Sequence, residues 1–139
     1  QKSWNDTVIQ RTYIAVVEGN VVEPNGRIAS YLKEDEGFKM HSSQNPNGGE
    51  YAITHFKTIK RNKNYSLLEV ALETGKKNQI RVHLQDIGHS IVGDKKYGAT
   101  TNPIQRLGLH ASILEFEHPR TKEILKFESG APRSFSRVV

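Results

Sequence analysis

The stretch Thr74 to His83, TGKKNQIRVH, gathers the side chains of this chain best equipped for chemistry. Lys76 and Lys77 follow Gly75, and behind them Ile80, His83, Leu84 and Ile87 fall at i, i+3, i+4 and i+7, one face of a helix. Thr74 stands near the helix start as a cap, and Gly88 just past its end as the residue that closes it. A helix N-terminus offers unpaired N–H groups and the positive end of the macrodipole, so it suits an anion. Two lysines placed there lose at least about 0.3 kcal/mol each against that dipole. A chain that accepts the loss is either gathering charge for an anion or solvating two lysines in a turn. Taken alone, the solvated pair is the simpler account.

Arg81 is harder to explain as surface. It lies one step from Ile80 at the edge of the apolar face, with Asn78 and Gln79 beside it. A guanidinium removed from water without a partner is very costly. No carboxylate stands at helical spacing from it, since Asp86 at i+5 points elsewhere. Its partner must therefore be non-local, either a carboxylate from elsewhere in the fold or a phosphate.

Other chemistries lack their residues. There is no cysteine, which removes thiolate nucleophiles, disulfides and Cys-based zinc sites and is compatible with a reducing cytoplasm. The six histidines match no metal-ligand spacing, so no metal is expected. No G-x-S-x-G, P-loop or G-x-G-x-x-G occurs. Glu34, Asp35 and Glu36 form an acidic run that reads as a solvated face, and Tyr13 as a strand tyrosine with its hydroxyl at the core's edge. The net charge of +5 is compatible with a polyanionic partner such as RNA, without requiring one.

The elements that must position these groups are mostly strands. At 139 residues the chain suits one domain with a real core, and no apolar run approaches the length of a membrane span. Arg11 to Gly19 alternates, with Thr12, Ile14 and Val16 on one side and Tyr13, Ala15 and Val17 on the other. Pro24, Asn25 and Gly26 make a turn, and residues 31–50 read as loop with one short extended piece at Gly37 to His41. Tyr51 to Ile59 and Ser66 to Glu73 form an antiparallel hairpin. A second hairpin joins RLGLHASILEFE to KEILKFES, with a bulge between Ile113 and Leu114, and RSFSRVV reads as a frayed tail. The expectation is an α+β domain: an antiparallel sheet of five to seven strands with one helix laid against it.

With these segments in place, TGKKNQIRVHLQDIGHSIVGDKKYGA resembles the signature T-G-R-x-H-Q-I/L-R-V-H, G-H-P-I-x-G-D and Y-G of the RluA/RluD-type pseudouridine synthases. RTYIAVVEG is similar to that family's K-x-Y-x-A-x-V-x-G, and RLGLHASILEFEHP to its L-x-L-H-A-x-x-L-x-F-x-H-P. The resemblance implies an enzyme that isomerises uridine to pseudouridine in structured RNA, ribosomal or transfer, with no cofactor or metal, no membrane and no obligate protein partner. It implies that Tyr13 packs against the target base and serves in proton removal, and that Arg81 ion-pairs with the catalytic aspartate. Lys76, Lys77, Asn78 and Gln79 would line the RNA-facing mouth.

The departures are Lys76 for the family's Arg, Asn78 for His and Ser90 for Pro. Lys76 keeps the charge and loses the planar fork. The family's aspartate sits in an H-R-L-D motif upstream of the Tyr13 strand, and no such motif occurs here. Asp6, Asp35, Asp86 and Asp94 stand in other contexts, with Asp94 in a structural Gly-Asp. The chain is thus expected to be the C-terminal part of a catalytic domain, inactive alone, with Arg81 facing an open cleft beside solvent, an ion or a makeshift acid. The alternative is an RNA-binding module that kept the fold and lost the aspartate.

Overall fold

Alternation in RTYIAVVEG builds an interior strand, and both of its faces end up covered. A computed structural model describes residues 8–139, and Asp6 lies outside them. Strand β1 (Val8–Glu18) runs antiparallel to β5 (Tyr65–Leu72) on one side and to β6 (Leu109–Glu117) on the other. With β2 (Asn25–Glu34), β3 (Met40–Ser43), β4 (Glu50–Arg61) and β7 (Ile124–Glu128) it makes one seven-stranded sheet, ordered β3-β2-β4-β5-β1-β6-β7. The α+β expectation holds: one main helix, α1 (Gln79–Asp86), crosses the β2–β3–β4 end of the sheet.

On the α1 face, Ala15 and Val17 join Val21, Phe56, Leu68, Val70, Ile80, Leu84 and Ile91 in one apolar cluster, with Tyr13 packed at its edge. On the opposite face Val16, Leu67 and Val92 meet Phe135, and Ile14 packs alongside. Removing a methylene-rich side chain from either layer forfeits its transfer energy and leaves a cavity.

Three expectations are corrected here. Residues 31–34 belong to a ten-residue strand rather than a loop, and β3 pairs beside it from Tyr31↔Ser43 to Glu34↔Met40. Ser30, a polar residue at an inward position between Ile28 and Leu32, interrupts the apolar alternation that would have marked β2. The tail is also ordered: a short helix α2 (Arg133–Arg137) seats Phe135 at 1% exposure against Val16 and Leu67. A buried phenylalanine of this kind is worth about 3–5 kcal/mol on truncation to Ala. The bulge in β6 falls at Ser112, since Thr12 pairs with Ile113 and Tyr13 with Ala111.

Ser30 is inward because α1 places a polar residue opposite it. His83 is fully buried, its Nε2 2.9 Å from Ser30 Oγ and its Nδ1 2.7 Å from Thr54 Oγ1. Thr54 Oγ1 also accepts from Gln79 Nε2 at 2.9 Å. Ser30 Oγ also accepts from Ser42 Oγ at 2.6 Å, so each ring nitrogen of His83 meets a hydroxyl that is itself hydrogen-bonded. Burial pushes the His83 pKa down to about 4, so the ring is neutral.

That shift has a consequence for stability. Below the ordinary value of 6.5 the unfolded chain takes up a proton that the folded chain refuses until about pH 4, so folding weakens as pH falls through that window. His83→Gln removes the titration, and comparing the two proteins cancels every group left unchanged. Between pH 7 and pH 4.5, denaturant unfolding is expected to show wild type losing about 2–3 kcal/mol more than the variant. Parallel pH curves would contradict the buried neutral histidine.

Candidate active site

The loop between β5 and α1 is fixed from beneath by one amide. Gln79, 2% exposed, accepts from Thr74 Oγ1 at 2.8 Å and from the Lys76 N–H at 3.0 Å through Oε1. Its Nε2 donates to Ile53 O at 3.0 Å and to Thr54 Oγ1 at 2.9 Å. Every hydrogen-bonding position of the carboxamide is thereby used. Gln79 holds the loop and has nothing left to offer RNA. Thr74, expected as the cap, supports Gln79 instead, and the capping position falls to Asn78.

Asn78 sits in the left-handed region at φ 56°, a conformation asparagine tolerates better than most residues. Its side chain lies between two others. Oδ1 accepts from Arg81 Nη1 at 3.3 Å, and Nδ2 points to Tyr97 Oη at 3.4 Å. Asn78 and Gln79 also line a cavity of about 180 Å³ together with Tyr13, Leu72, Lys76, Ile80 and Leu109. That is below the roughly 300–1,000 Å³ of common small-molecule pockets and suits a single ring better than a whole nucleotide. Tyr13 from β1 and Lys76 from the loop therefore share one concavity.

Lys76 reaches Glu50, its Nζ 3.0 Å from the carboxylate. Lys77 turns the other way, 2.6 Å from Glu34 and 5.7 Å from the centroid of the Phe38 ring. The two adjacent lysines thus serve different surfaces, and only Lys76 borders the Tyr13 cavity.

Arg81 has a partner, and it is Asp94. Nε donates to Oδ2 at 2.9 Å and Nη2 to Oδ1 at 2.8 Å, a two-pronged pair. The Asp94 side chain is 1% exposed and the Arg81 side chain 25%. The Arg81 carbon Cζ also lies 4.8 Å from the centroid of the fully buried Tyr97 ring. Hydrogen bonding to Asp94 pushes the Arg81 pKa up, so the guanidinium stays charged. The open-cleft expectation is corrected accordingly. The partner is non-local as expected, and of the two kinds left open, a carboxylate or a phosphate, it is a carboxylate, supplied by a residue read as merely structural.

The Gly-Asp and Tyr-Gly pairs explain how Asp94 is held there. Gly93 takes φ 79°, and a Cβ on it would come 2.5 Å from Arg106 O, so no other residue fits the turn that delivers Asp94. Asp94 O then accepts the N–H groups of Tyr97 and Ala99 at 3.1 and 3.0 Å. Tyr97 Oη in turn accepts the Met40 N–H at 2.9 Å, tying the segment to β3. Asp94 and Tyr97 are site residues that spacing alone did not reveal, although both stand inside the quoted motif. Among the described residues, no group of three His, Asp or Glu side chains is placed to hold a metal ion.

Comparisons with known proteins identify the family. The family model described as RNA pseudouridylate synthase matches residues 1–86. The chain is 38% identical over 132 residues to the "Uncharacterized RNA pseudouridine synthase YhcT" of Bacillus subtilis, covering 94% of this chain and 43% of that protein. It is 33% identical over 139 residues to the "Ribosomal large subunit pseudouridine synthase D" of Neisseria meningitidis, covering 91% of this chain and 37% of that one. The chain thus spans less than half the length of these two relatives. The solved structure of human RNA Pseudouridylate Synthase Domain Containing 1 superimposes with a TM-score of 0.76 at 23% identity, over 88% of this chain and 55% of that one. At that identity the likeness concerns the fold. The family match covers more than half of the chain, and it includes Tyr13 and Arg81. The chain belongs to the RNA pseudouridylate synthase family.

Proposed function

We propose that the full-length protein carrying this chain isomerises uridine to pseudouridine in structured RNA, with these residues forming one wall of its active site. The observation that carries the reading is the placement of Tyr13, Asn78 and Arg81 around the β5–α1 loop, with Arg81 held by a buried carboxylate. Asp94 occupies Nε and Nη2 of Arg81, which leaves hydrogens on Nη1 and Nη2 for a second acceptor. A catalytic aspartate from outside these 139 residues is the acceptor that the family resemblance supplies. A fixed positive charge beside it favours its ionised form.

The target nucleotide leaves its stack to enter the concavity, where the Tyr13 ring packs against the base. The bond from uracil N1 to the ribose breaks, the base turns, and a bond forms from C5. The C5 proton is lost and N1 gains one, so atoms balance without a cofactor. Lys76 and Lys77 offer ammonium groups to the RNA backbone from the two sides of the loop. The match to a protein named as a ribosomal large subunit pseudouridine synthase favours ribosomal over transfer RNA as the first substrate to try.

Tritium release from RNA labelled at uridine C5 tests this reading, because bond formation at C5 expels the label. The full-length protein is expected to release tritium, and residues 1–139 alone are not. Arg81→Ala in the full-length protein is expected to lower turnover at least about a thousandfold, roughly 4 kcal/mol of transition-state stabilisation, while changing RNA affinity by less than about tenfold. RNA binding by the full-length protein with no tritium release from any RNA would favour a non-catalytic RNA-binding module instead.

A further inference from the structure

The β2–β3 turn presents an exposed aromatic ring among ammonium groups. Phe38 is 65% exposed, and its backbone sits in the left-handed region at φ 65°. A bulky side chain rarely occupies that region, and glycine, which tolerates it, is the preceding residue Gly37. The turn is nonetheless tightly tied. Asp35 O accepts the Phe38 N–H at 3.0 Å, Asp35 Oδ1 accepts the Lys39 N–H at 3.0 Å, and the Asp35 N–H donates to Lys39 O at 2.9 Å. Asp35 Oδ2 lies 2.7 Å from His41 Nε2. Strain and exposure are both accepted here.

Two lysines meet this residue. Lys77 Nζ lies 5.7 Å from the ring centroid and Lys96 Nζ donates to Phe38 O at 3.3 Å, while Lys39 Nζ lies over the Tyr97 ring. Of the nearby acids, Glu34 pairs with Lys77 and Asp35 with His41 and the Lys39 N–H, and Glu36 lies exposed two residues before Phe38. Of the rings that carry a cation among the described residues, Tyr97 and Phe135 are buried and Phe38 alone is exposed. Lys77 thus carries its ammonium away from the Tyr13 cavity and onto this second surface.

We infer that Phe38 is a stacking platform for a base of the RNA strand, with Lys77 and Lys96 meeting the adjoining phosphates. A ring with an open face accepts any base, and flanking ammonium groups supply the sequence-independent attraction of the backbone. The inference rests on RNA being the substrate, as proposed above, and it adds a contact outside the cavity that holds the reacting base.

The test measures binding separately from turnover. Fluorescence anisotropy of the full-length protein with a labelled RNA hairpin bearing a single-stranded uridine-rich loop is expected to show Phe38→Ala weakening binding about tenfold. Phe38→Trp should restore affinity and Phe38→Leu should not, since an apolar group of similar bulk cannot stack. Lys96→Ala should flatten the dependence of log K on log salt by about one. The exposed position means that Phe38→Ala keeps or raises the melting temperature, so a folding defect cannot imitate the loss. Unchanged affinity in Phe38→Ala, or full rescue by Phe38→Leu, would overturn the platform. Phe38-dependent binding without tritium release would leave the platform standing and remove the catalytic reading.

Discussion

A carboxylate almost entirely removed from water must be neutralised where it sits, and Asp94 meets that demand with Arg81. The pair sets the direction of the guanidinium. Two parallel hydrogen bonds hold Nε and Nη2, and the Tyr97 ring lies against the guanidinium. Losing either partner would strand a buried or half-buried charge, which costs about 3–5 kcal/mol when a pair is broken from one side. The turn through Gly93 and the contacts from Tyr97 and Ala99 to Asp94 O exist around this constraint. What emerges is a cation that is rigid on one edge and available on the other.

A second set of hydrogen bonds aligns the loop that carries Lys76 and Asn78 with that cation. Gln79 ties the loop to β4 through Ile53 and Thr54, and Thr54 passes the connection to His83 and Ser30 beneath α1. None of these residues reaches the Asp94 pair directly, yet they fix the first turn of the helix from which Arg81 projects. Buried polar groups of this kind stabilise little on balance, and each would be expensive to leave unpaired. Their effect is to restrict the loop to one arrangement, with Tyr13 across the cavity from it.

Much of this was legible in the sequence, and the gaps have one cause. Apolar periodicity marked β1, the β4–β5 hairpin, α1 and the β6–β7 hairpin, because their inward positions are hydrocarbon. It failed at β2, where Ser30 faces inward to meet His83, and at the tail, where a five-residue helix carries a single buried ring. At the site, its place at the edge of the apolar face gave Arg81 away as a group in need of a distant partner, but choosing among the aspartates requires the turn at Gly93 to be known. Gln79 was expected at the RNA-facing mouth from the family resemblance. Only the strand beneath it shows that all four of its hydrogen-bonding positions are used inside the fold. Hydrophobic pattern locates elements, whereas polar residues turned inward are understood only once their partners are in place.

The orientation of Arg81 by Asp94 can be measured in the protein directly, without substrate. Solvent exchange of the Arg81 Nε–H, followed by ¹⁵N nuclear magnetic resonance, reports whether that hydrogen is held in a buried bond. It should exchange at least about tenfold more slowly than the Nε–H of an exposed arginine such as Arg133, and Asp94→Asn should erase much of the difference. Exchange of Arg81 at the rate of an exposed arginine would mean that the guanidinium is free, and the pair could not be what aims it.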